Sequence, residues 1–291
     1  MKVVGFTFVR NAVKYDYPVK EAIRSILPLC DEVVVSVGNS LDDTELLIRS
    51  IGSPKIRIVY SIWDDTLREG GRVLAVETDK AFAHVPADAD WVIYIQADEV
   101  LHEADHEHIK AAMLQYKDDA RVEGLLFDYV HFYGSYDYIG DSRTWYQHEI
   151  RVIRNDKHIR SYRDAQGFRK NDQKLKVKHI NARIYHYGWV KDPYHQARKL
   201  DNSFALYNGD KKKVMAARAS KELYDYNRIE SLAPFTGTHP QVMQERIGKK
   251  NWDFQFDTSK KNFKKLKKWV LYWVEKKTGK RLFDYRNYKI I

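Results

Sequence analysis

Apolar positions fall into short runs separated by amphipathic stretches through the first third of the chain. Residues 3–9 are almost wholly apolar and predict a buried strand. Residues 18–27 place Val19, Ala22, Ile23, Ile26 and Leu27 at helical spacing, with Pro18 suited to a first turn. Residues 32–37 are a β-branched run and predict a second strand. Residues 43–51 then read as helix, 55–60 as strand and 71–84 as helix, the last carrying Val73, Leu74, Val76 and Ala81. Residues 91–95 are apolar throughout, which predicts a central strand. This alternation predicts an α/β fold, a mostly parallel Rossmann-like sheet flanked by helices with right-handed crossovers. In such sheets ligands bind beyond the carboxyl ends of the strands.

The second half loses that rhythm. Residues 125–132, 149–154 and 177–187 read as strands, and 192–208 as a helix. Past residue 211 the apolar spacing weakens, residues 234–240 are loop-like, and 260–277 predict a basic amphipathic helix. A division follows. Residues 1–210 are expected to form one domain with two halves, 1–100 and 101–210. Residues 211–291 form a helical C-terminal extension.

The charge is uneven. Of 50 Lys/Arg and 40 Asp/Glu, 12 and 2 lie between Thr258 and Ile291, which leaves 38 of each elsewhere. The net +10 therefore belongs to the tail, and a neutral body disfavours a nucleic-acid binder. The lone Cys30 excludes an internal disulfide framework and a four-cysteine zinc site. The first residues lack signal-peptide character and no apolar run reaches membrane-span length, so a cytoplasmic location is expected. In the tail, Phe263, Leu266, Val270 and Trp273 make one stripe among lysines. That is the composition of a helix lying on an anionic inner membrane face, or of one docked on the body with its lysines solvated.

The segment richest in chemistry is Asp90-Trp91-Val92-Ile93-Tyr94-Ile95-Gln96-Ala97-Asp98-Glu99. An apolar strand runs straight into two adjacent carboxylates, which alternation sends to different sides. One of them at a strand end suits a hard divalent cation. Three motifs then occur in order: Phe8-Val9-Arg10-Asn11 after the first strand, Ser40-Leu41-Asp42-Asp43-Thr44 after the second, and Gln96-Ala97-Asp98-Glu99 after the fourth.

This ordered set resembles glycosyltransferase family 2, inverting enzymes of the GT-A fold that use nucleotide-diphospho-sugars. The resemblance spans about residues 3–190 and implies a catalytic domain over residues 1–210, with a nucleotide-sugar-binding half (1–100) and an acceptor half (101–210). It implies that Asp98 binds Mn²⁺ or Mg²⁺ against the donor diphosphate, with His186 as a further metal ligand. It implies donor contacts from Phe8, Arg10, Ser36, Ser40, Asp42, Arg72, Asp79, Gln96, Ala97 and Asp98. Gln96 stands where the family has the first Asp of its metal motif. An inverting transfer needs a general base for the acceptor hydroxyl. Asp164, in a Gly-containing loop, is the first choice and Glu149 the second. Glu99, Trp145 and Trp189 are expected on the acceptor side, for a sugar, glycan or lipid-linked acceptor of envelope or surface polysaccharide synthesis. The departure at Gln96 also raises a second reading, a catalytically silent sugar- or nucleotide-binding protein of the same fold. A third is a zinc hydrolase built on His102-Glu103-Ala104-Asp105-His106, an H-E-x-x-H pattern. Acidic residues crowd this stretch as at a helix start, which argues against a mid-helix zinc motif.

Overall fold

The structure is a computed structural model that describes residues 1–67, 69–208 and 223–291. Its first half is built as the apolar pattern predicts. Strands β1 (Val3–Val9), β2 (Glu32–Gly38), β3 (Ile56–Ser61) and β4 (Trp91–Tyr94) alternate with helices α1 (Val19–Ile26), α2 (Thr44–Arg49) and α3 (Arg72–Ala83). β5 (Glu99–Leu101) and α4 (His106–Gln115) follow, then β6 (Gly124–Tyr133), β7 (Ser135–Gly140) and β8 (His148–Arg154). A small antiparallel sheet holds β9 (Ile159–Tyr162), β10 (Gly167–Lys170) and β11 (Gln173–Lys174). The long β12 (Lys176–Trp189) leads into α5 (Pro193–Tyr207), and β13 (Leu232–Pro234) and β14 (Lys289–Ile290) lie beyond.

The main sheet runs β3-β2-β1-β4-β8-β6, then β7-β13 on one branch and β12 on another. β1 to β4, β6, β12, β13 and β14 share one direction; β5, β7 and β8 oppose it. This is the expected mixed α/β architecture with a mostly parallel sheet. The chain steps outward from β1 through β2 to β3, then returns to place β4 on the other side of β1. That reversal opens a crevice at the carboxyl ends of β1 and β4.

The two faces of the sheet are covered by different helices. Val33, Val35 and Val37 pack with Val19, Ile23 and Ile26 of α1 and Ile109 and Met113 of α4. Val34, Val4 and Phe6 pack instead with Ala81 and Phe82 of α3. The period-2 alternation of a two-sided buried sheet produces this split.

Residues beyond 223 add β13 and β14 to the same sheet. The domain boundary expected at 210/211 lies outside the described residues. The basic helix runs Leu266–Thr278 and starts later than residue 260. Lys260, Lys261, Lys264 and Lys265 would stack positive charge on the positive end of the helix dipole, which opposes helix there. Among the described residues, no helix is long and apolar enough to cross a membrane.

Phe6 is fully buried between Phe82 and Tyr94, at ring separations of 5.5 and 5.0 Å. Phe6→Ala is expected to lose about 3–5 kcal/mol. Guanidinium unfolding checks this as a lower midpoint at unchanged slope.

Candidate functional site

The crevice between β1 and β4 opens into a cleft of about 460 Å³. Phe8, Arg10 and Trp63 form one wall, Gln96, Ala97 and Asp98 its floor, and Asp164, Ala165 and Gln166 another wall. α5 closes it with Lys199, Asn202, Ser203 and Leu206, positions that share one helix face. The guanidinium of Arg10 lies 4.5 Å over the Trp63 ring and pairs with Asp65 at 3.0 Å.

Asp98 lies in the short turn after β4, four residues past Tyr94, and Glu99 opens β5. Pairing of β5 with β12 sets Glu99 opposite His186, and the Tyr187 amide donates to the Asp98 carbonyl at 2.8 Å. Residues almost ninety positions apart thus converge. The Asp98 carboxylate is nearly buried and accepts from Lys199 Nζ at 2.9 Å. His186 Nε2 lies 3.7 Å from Asp98 Oδ2. Burial opposes charge on Asp98, but the Lys199 ammonium outweighs it and holds the carboxyl well below the usual range. Gly188 is required here: a Cβ would sit 2.6 Å from His186 Nε2 and 2.7 Å from Asp98 Oδ2.

The proton on His186 can be assigned by chemistry. His131 Nε2 is 2.9 Å from the Tyr146 carbonyl, which only accepts, so His131 carries its proton on Nε2. Burial holds both imidazoles below the ordinary histidine range, hence neutral. Neutral His131 then accepts at Nδ1 from His186 Nδ1–H, 3.1 Å away. The lone pair of His186 Nε2 is left facing Asp98. A 3.7 Å gap between a carboxylate oxygen and an imidazole nitrogen suits a cation about 2 Å from each. The donor set fits a divalent metal, with Lys199 competing for the same oxygen.

Glu99 faces the other way. It is fully buried, bound bidentately by Arg151 at 2.7 Å and 2.7 Å, and takes the Tyr129 hydroxyl at 2.7 Å. It does not line the cleft, so the acceptor role expected of it is corrected to a structural one. Trp145 and Trp189 also leave the cleft: they pack edge to face at 6.2 Å in a cluster with Tyr133 and Phe254. Rings spent on one another have no face for a sugar.

Ser40 and Asp42 are used in bracing loops, not in lining the cleft. Asn11 N donates to Ser40 Oγ at 3.0 Å, Lys14 N to Asp42 Oδ2 at 2.7 Å, and Ala12 N to Thr44 Oγ1 at 2.7 Å. These bonds tie the loop after β1 to the loop after β2. Ser36 is buried within β2 beside Phe8. Arg72 and Asp79 line a neighbouring depression that shares Asp164, Gln166 and Tyr207 with the cleft. Asp79 accepts from the Ser161 amide at 2.7 Å, and burial raises its carboxyl.

Asp164 sits at the tip of the β9–β10 hairpin, between Arg163 and Ala165, both left-handed at φ 56° and 64°. Two such non-glycine residues store local strain of the kind found at functional loops. Tyr207 OH donates to Asp164 Oδ2 at 2.6 Å. Gly71, at φ +72°, lets this tip and α5 meet: a Cβ there would lie 2.9 Å from both Asp164 Cβ and Tyr207. Glu149, by contrast, is buried outside the cleft lining with one oxygen lacking a hydrogen bond. Burial pushes its carboxyl up to about 8, against the opposing pull of Arg151 and a hydrogen bond from Gln166. A carboxyl that is neutral at pH 7 does not serve as a ready base.

The zinc pattern fails on geometry. His102 is extended and caps a short turn over Glu103–Asp105, while α4 begins only at His106. The two histidines therefore do not share a helix face, and the Glu103 carboxylate accepts from the Gln241 amide at 3.0 and 3.2 Å.

Lys199, Arg151, His131 and Tyr207 escaped the sequence reading. Lys199 had one signal, its i+3, i+4 and i+7 relation to Asn202, Ser203 and Leu206 along a predicted helix.

No family model matches the chain, and no curated protein matches it. Among solved structures it is similar to glucosyl-3-phosphoglycerate synthase from Mycobacterium tuberculosis in complex with Mn²⁺, UDP and phosphoglyceric acid. That match has 18% identity over 45% of this chain and 43% of the synthase, with a TM-score of 0.31. The chain thus spans less than half of that synthase. S. aureus TarS matches over 70% of this chain and 39% of its own, at 16% identity and TM-score 0.37. The 4-diphosphocytidyl-2C-methyl-D-erythritol synthase of Anaerococcus prevotii matches over 75% and 95%, at 11% identity and TM-score 0.38.

Because Glu149 titrates higher in the fold than in the unfolded chain, the native state binds the extra proton between about pH 4.5 and 8. Its contribution to stability is complete below that window and is lost as pH rises through it. Glu149→Gln is expected to flatten the fall of Tm between pH 5 and 9, leaving the variant the more stable at pH 9.

Proposed function

We propose that the chain is a glycosyltransferase of the GT-A type that moves a sugar from a nucleoside-diphospho-sugar to an acceptor hydroxyl with inversion. The observation that carries this reading is Asp98, an ionised and nearly buried carboxylate at the topological switch point of a parallel sheet, facing a cleft beside a neutral histidine. Phe8, Arg10 and Trp63 offer an aromatic and cationic wall for a nucleoside, and Asp98, His186 and Lys199 mark the diphosphate end. A bound Mn²⁺ or Mg²⁺ would offset charge on the leaving diphosphate. Asp98 and His186 Nε2 would hold it, with Lys199 released from Asp98 onto a phosphate oxygen.

Asp164 is the general base in this reading. It accepts the acceptor's hydroxyl proton while that oxygen attacks the anomeric carbon and the bond to the diphosphate breaks. Tyr207 holds one carboxylate oxygen, which fixes the direction of the other. An acceptor drawn from envelope or surface polysaccharide synthesis fits the tail. The helix Leu266–Thr278 docks by burying Tyr272, which donates to Asp141 at 2.6 Å, and through Glu275, held by Arg143 at 2.6 Å. Trp269, Val270 and Trp273 remain 46%, 43% and 38% exposed in a tail of net charge +10. An apolar strip ringed by lysines suits peripheral contact with an anionic membrane from the cytoplasmic side.

A second reading is favoured by the 2.9 Å Lys199–Asp98 contact: Lys199 itself supplies the positive charge and no metal is needed.

UDP, GDP, CDP and ADP are screened by thermal shift, with and without Mn²⁺. One of them is expected to raise Tm by several degrees in an Mn²⁺-dependent way, since a ligand at a hundredfold its Kd adds about 2.7 kcal/mol. Asp98→Asn should remove that shift and lower transfer about 10²–10³-fold, the scale of several kcal/mol of transition-state charge stabilisation. A shift indifferent to Mn²⁺ and abolished by Lys199→Met selects the metal-free reading. Binding without turnover selects the silent one, and no shift with any nucleotide rejects the donor site.

Membrane contact has its own check. The chain should co-sediment with phosphatidylglycerol-containing vesicles at low salt and not with neutral ones. The double variant Trp269→Ser/Trp273→Ser should weaken binding at least tenfold; retention on neutral vesicles, or none on anionic ones, refutes the contact.

A further inference from the structure

Away from the cleft, three neighbouring strands bring together two imidazoles and a carboxylate. Asp128 on β6 lies directly opposite His148 on β8. On the other side of β6, β12 advances four positions, from His179 to Arg183, where β6 advances two, from Leu126 to Asp128. This irregularity brings His179 beside Asp128. Asp128 Oδ1 is 2.7 Å from His179 Nε2 and 2.8 Å from His148 Nδ1. The two rings stand 5.0 Å apart at 72°. All three offer a ligand atom within 4.8 Å of the others, the one such group of three among the described residues.

A simple ion-pair cluster explains this group incompletely. His179 Nε2–H donates well to Asp128 Oδ1. His148 Nδ1 does not: it is shielded from solvent and makes no hydrogen bond, although the same oxygen is 2.8 Å away. One carboxylate oxygen thus faces two imidazole nitrogens and is well satisfied by only one of them, an arrangement that a cation between the three groups would relieve. The side chains remain 34%, 29% and 33% exposed for Asp128, His148 and His179, so an ion can enter from solvent and water can complete its shell. Two ligands each about 2.0–2.2 Å from one ion sit roughly 3–3.4 Å apart. The observed spacings need to open by less than about 1 Å, within reach of half-exposed side chains.

We infer that Asp128, His148 and His179 form a second divalent-metal site, of the zinc class, that ties β8, β6 and β12 together. Two imidazoles and one carboxylate select first-row transition ions over Mg²⁺ or Ca²⁺, which take all-oxygen shells. The site shares no residue with the Asp98–His186 pair. Strand alternation also turns Asp128 to the face opposite Tyr129, whose hydroxyl serves Glu99. Its role is structural. β6 and β8 carry Tyr129, His131 and Arg151, the residues that position Glu99 and His186, so a clamp on these strands steadies the cleft from behind.

The test uses the full chain without a histidine tag. Zn²⁺ is titrated by calorimetry after removal of metal with a chelator, and Tm is read with and without Zn²⁺. The chain is expected to bind one equivalent that survives Asp98→Asn/His186→Gln and to gain several degrees in Tm. His148→Gln/His179→Gln should lose that equivalent, with affinity down at least tenfold, while its circular dichroism and its nucleotide-dependent thermal shift stay as in the parent. Asp128→Asn, a milder change, should weaken Zn²⁺ in the same direction. Unchanged Zn²⁺ stoichiometry and affinity in both the double histidine variant and Asp128→Asn would overturn the site. So would a parent chain whose every bound Zn²⁺ is lost with Asp98→Asn/His186→Gln.

Discussion

A carboxylate that never meets the cleft organises it. Glu99 is fully buried and saturated by Arg151, Tyr129 and the Gln96 amide. Three strands and a turn contribute to that knot: β5 supplies Glu99, β8 Arg151, β6 Tyr129, and the turn after β4 the amide. Replacing such a buried pair with apolar groups need not destabilise a fold, but removing one partner strands a charge at a cost of about 3–5 kcal/mol. The pair therefore acts mainly as a locator. With Glu99 fixed inward, alternation turns its neighbour Asp98 outward, and the pairing of Glu99 with His186 in β12 brings the histidine to the same mouth.

The electrostatics of the mouth follow from that placement. Asp98 is too buried to be ionised without help, and Lys199 supplies it. Lys191, deeper still, donates to the Tyr15 and Asp16 carbonyls and is pushed down to about 7 by burial and by Lys199. One acidic and two basic side chains thus share a small desolvated volume. Lys199 holds Asp98 and the partly protonated Lys191 adds to the positive side, so an anion entering this volume would find cationic partners. A cation entering alone must displace Lys199; a cation entering with a diphosphate leaves Lys199 a new partner. In the proposed reading this asymmetry would favour binding of metal and nucleotide together.

The parallel half was legible because each strand and helix there is specified locally. Val33 to Val37 can only be a two-sided buried strand, and a wholly apolar β4 followed within a short turn by two carboxylates marks the crevice. What escaped depends on long-range registry. Nothing near Glu99 announces Arg151, because their contact needs β5, β6 and β8 already assembled. Trp145 and Trp189 read as sugar platforms from composition, yet each is used by another ring. Ser40 and Asp42 read as donor contacts, yet short polar side chains in a turn bond first to nearby amides. The histidine-rich stretch before α4 likewise turned out to be capping chemistry.

The C-terminal helix uses one face to dock and leaves another exposed. An apolar stripe read on its own predicts either docking or lipid, as if one excluded the other. Tyr272 and Glu275 satisfy the body, and residues 269, 270 and 273 lie on the side left over. The docking side is polar at its rim, with Arg143 and Arg281 converging on Glu275, so it holds the helix in one orientation. A helix held that way cannot roll its tryptophans inward to hide them. The exposed strip is thus a fixed surface, and it carries the tail's lysines on the same element, so the contact proposed for it would bring apolar and cationic groups to a bilayer in a single geometry.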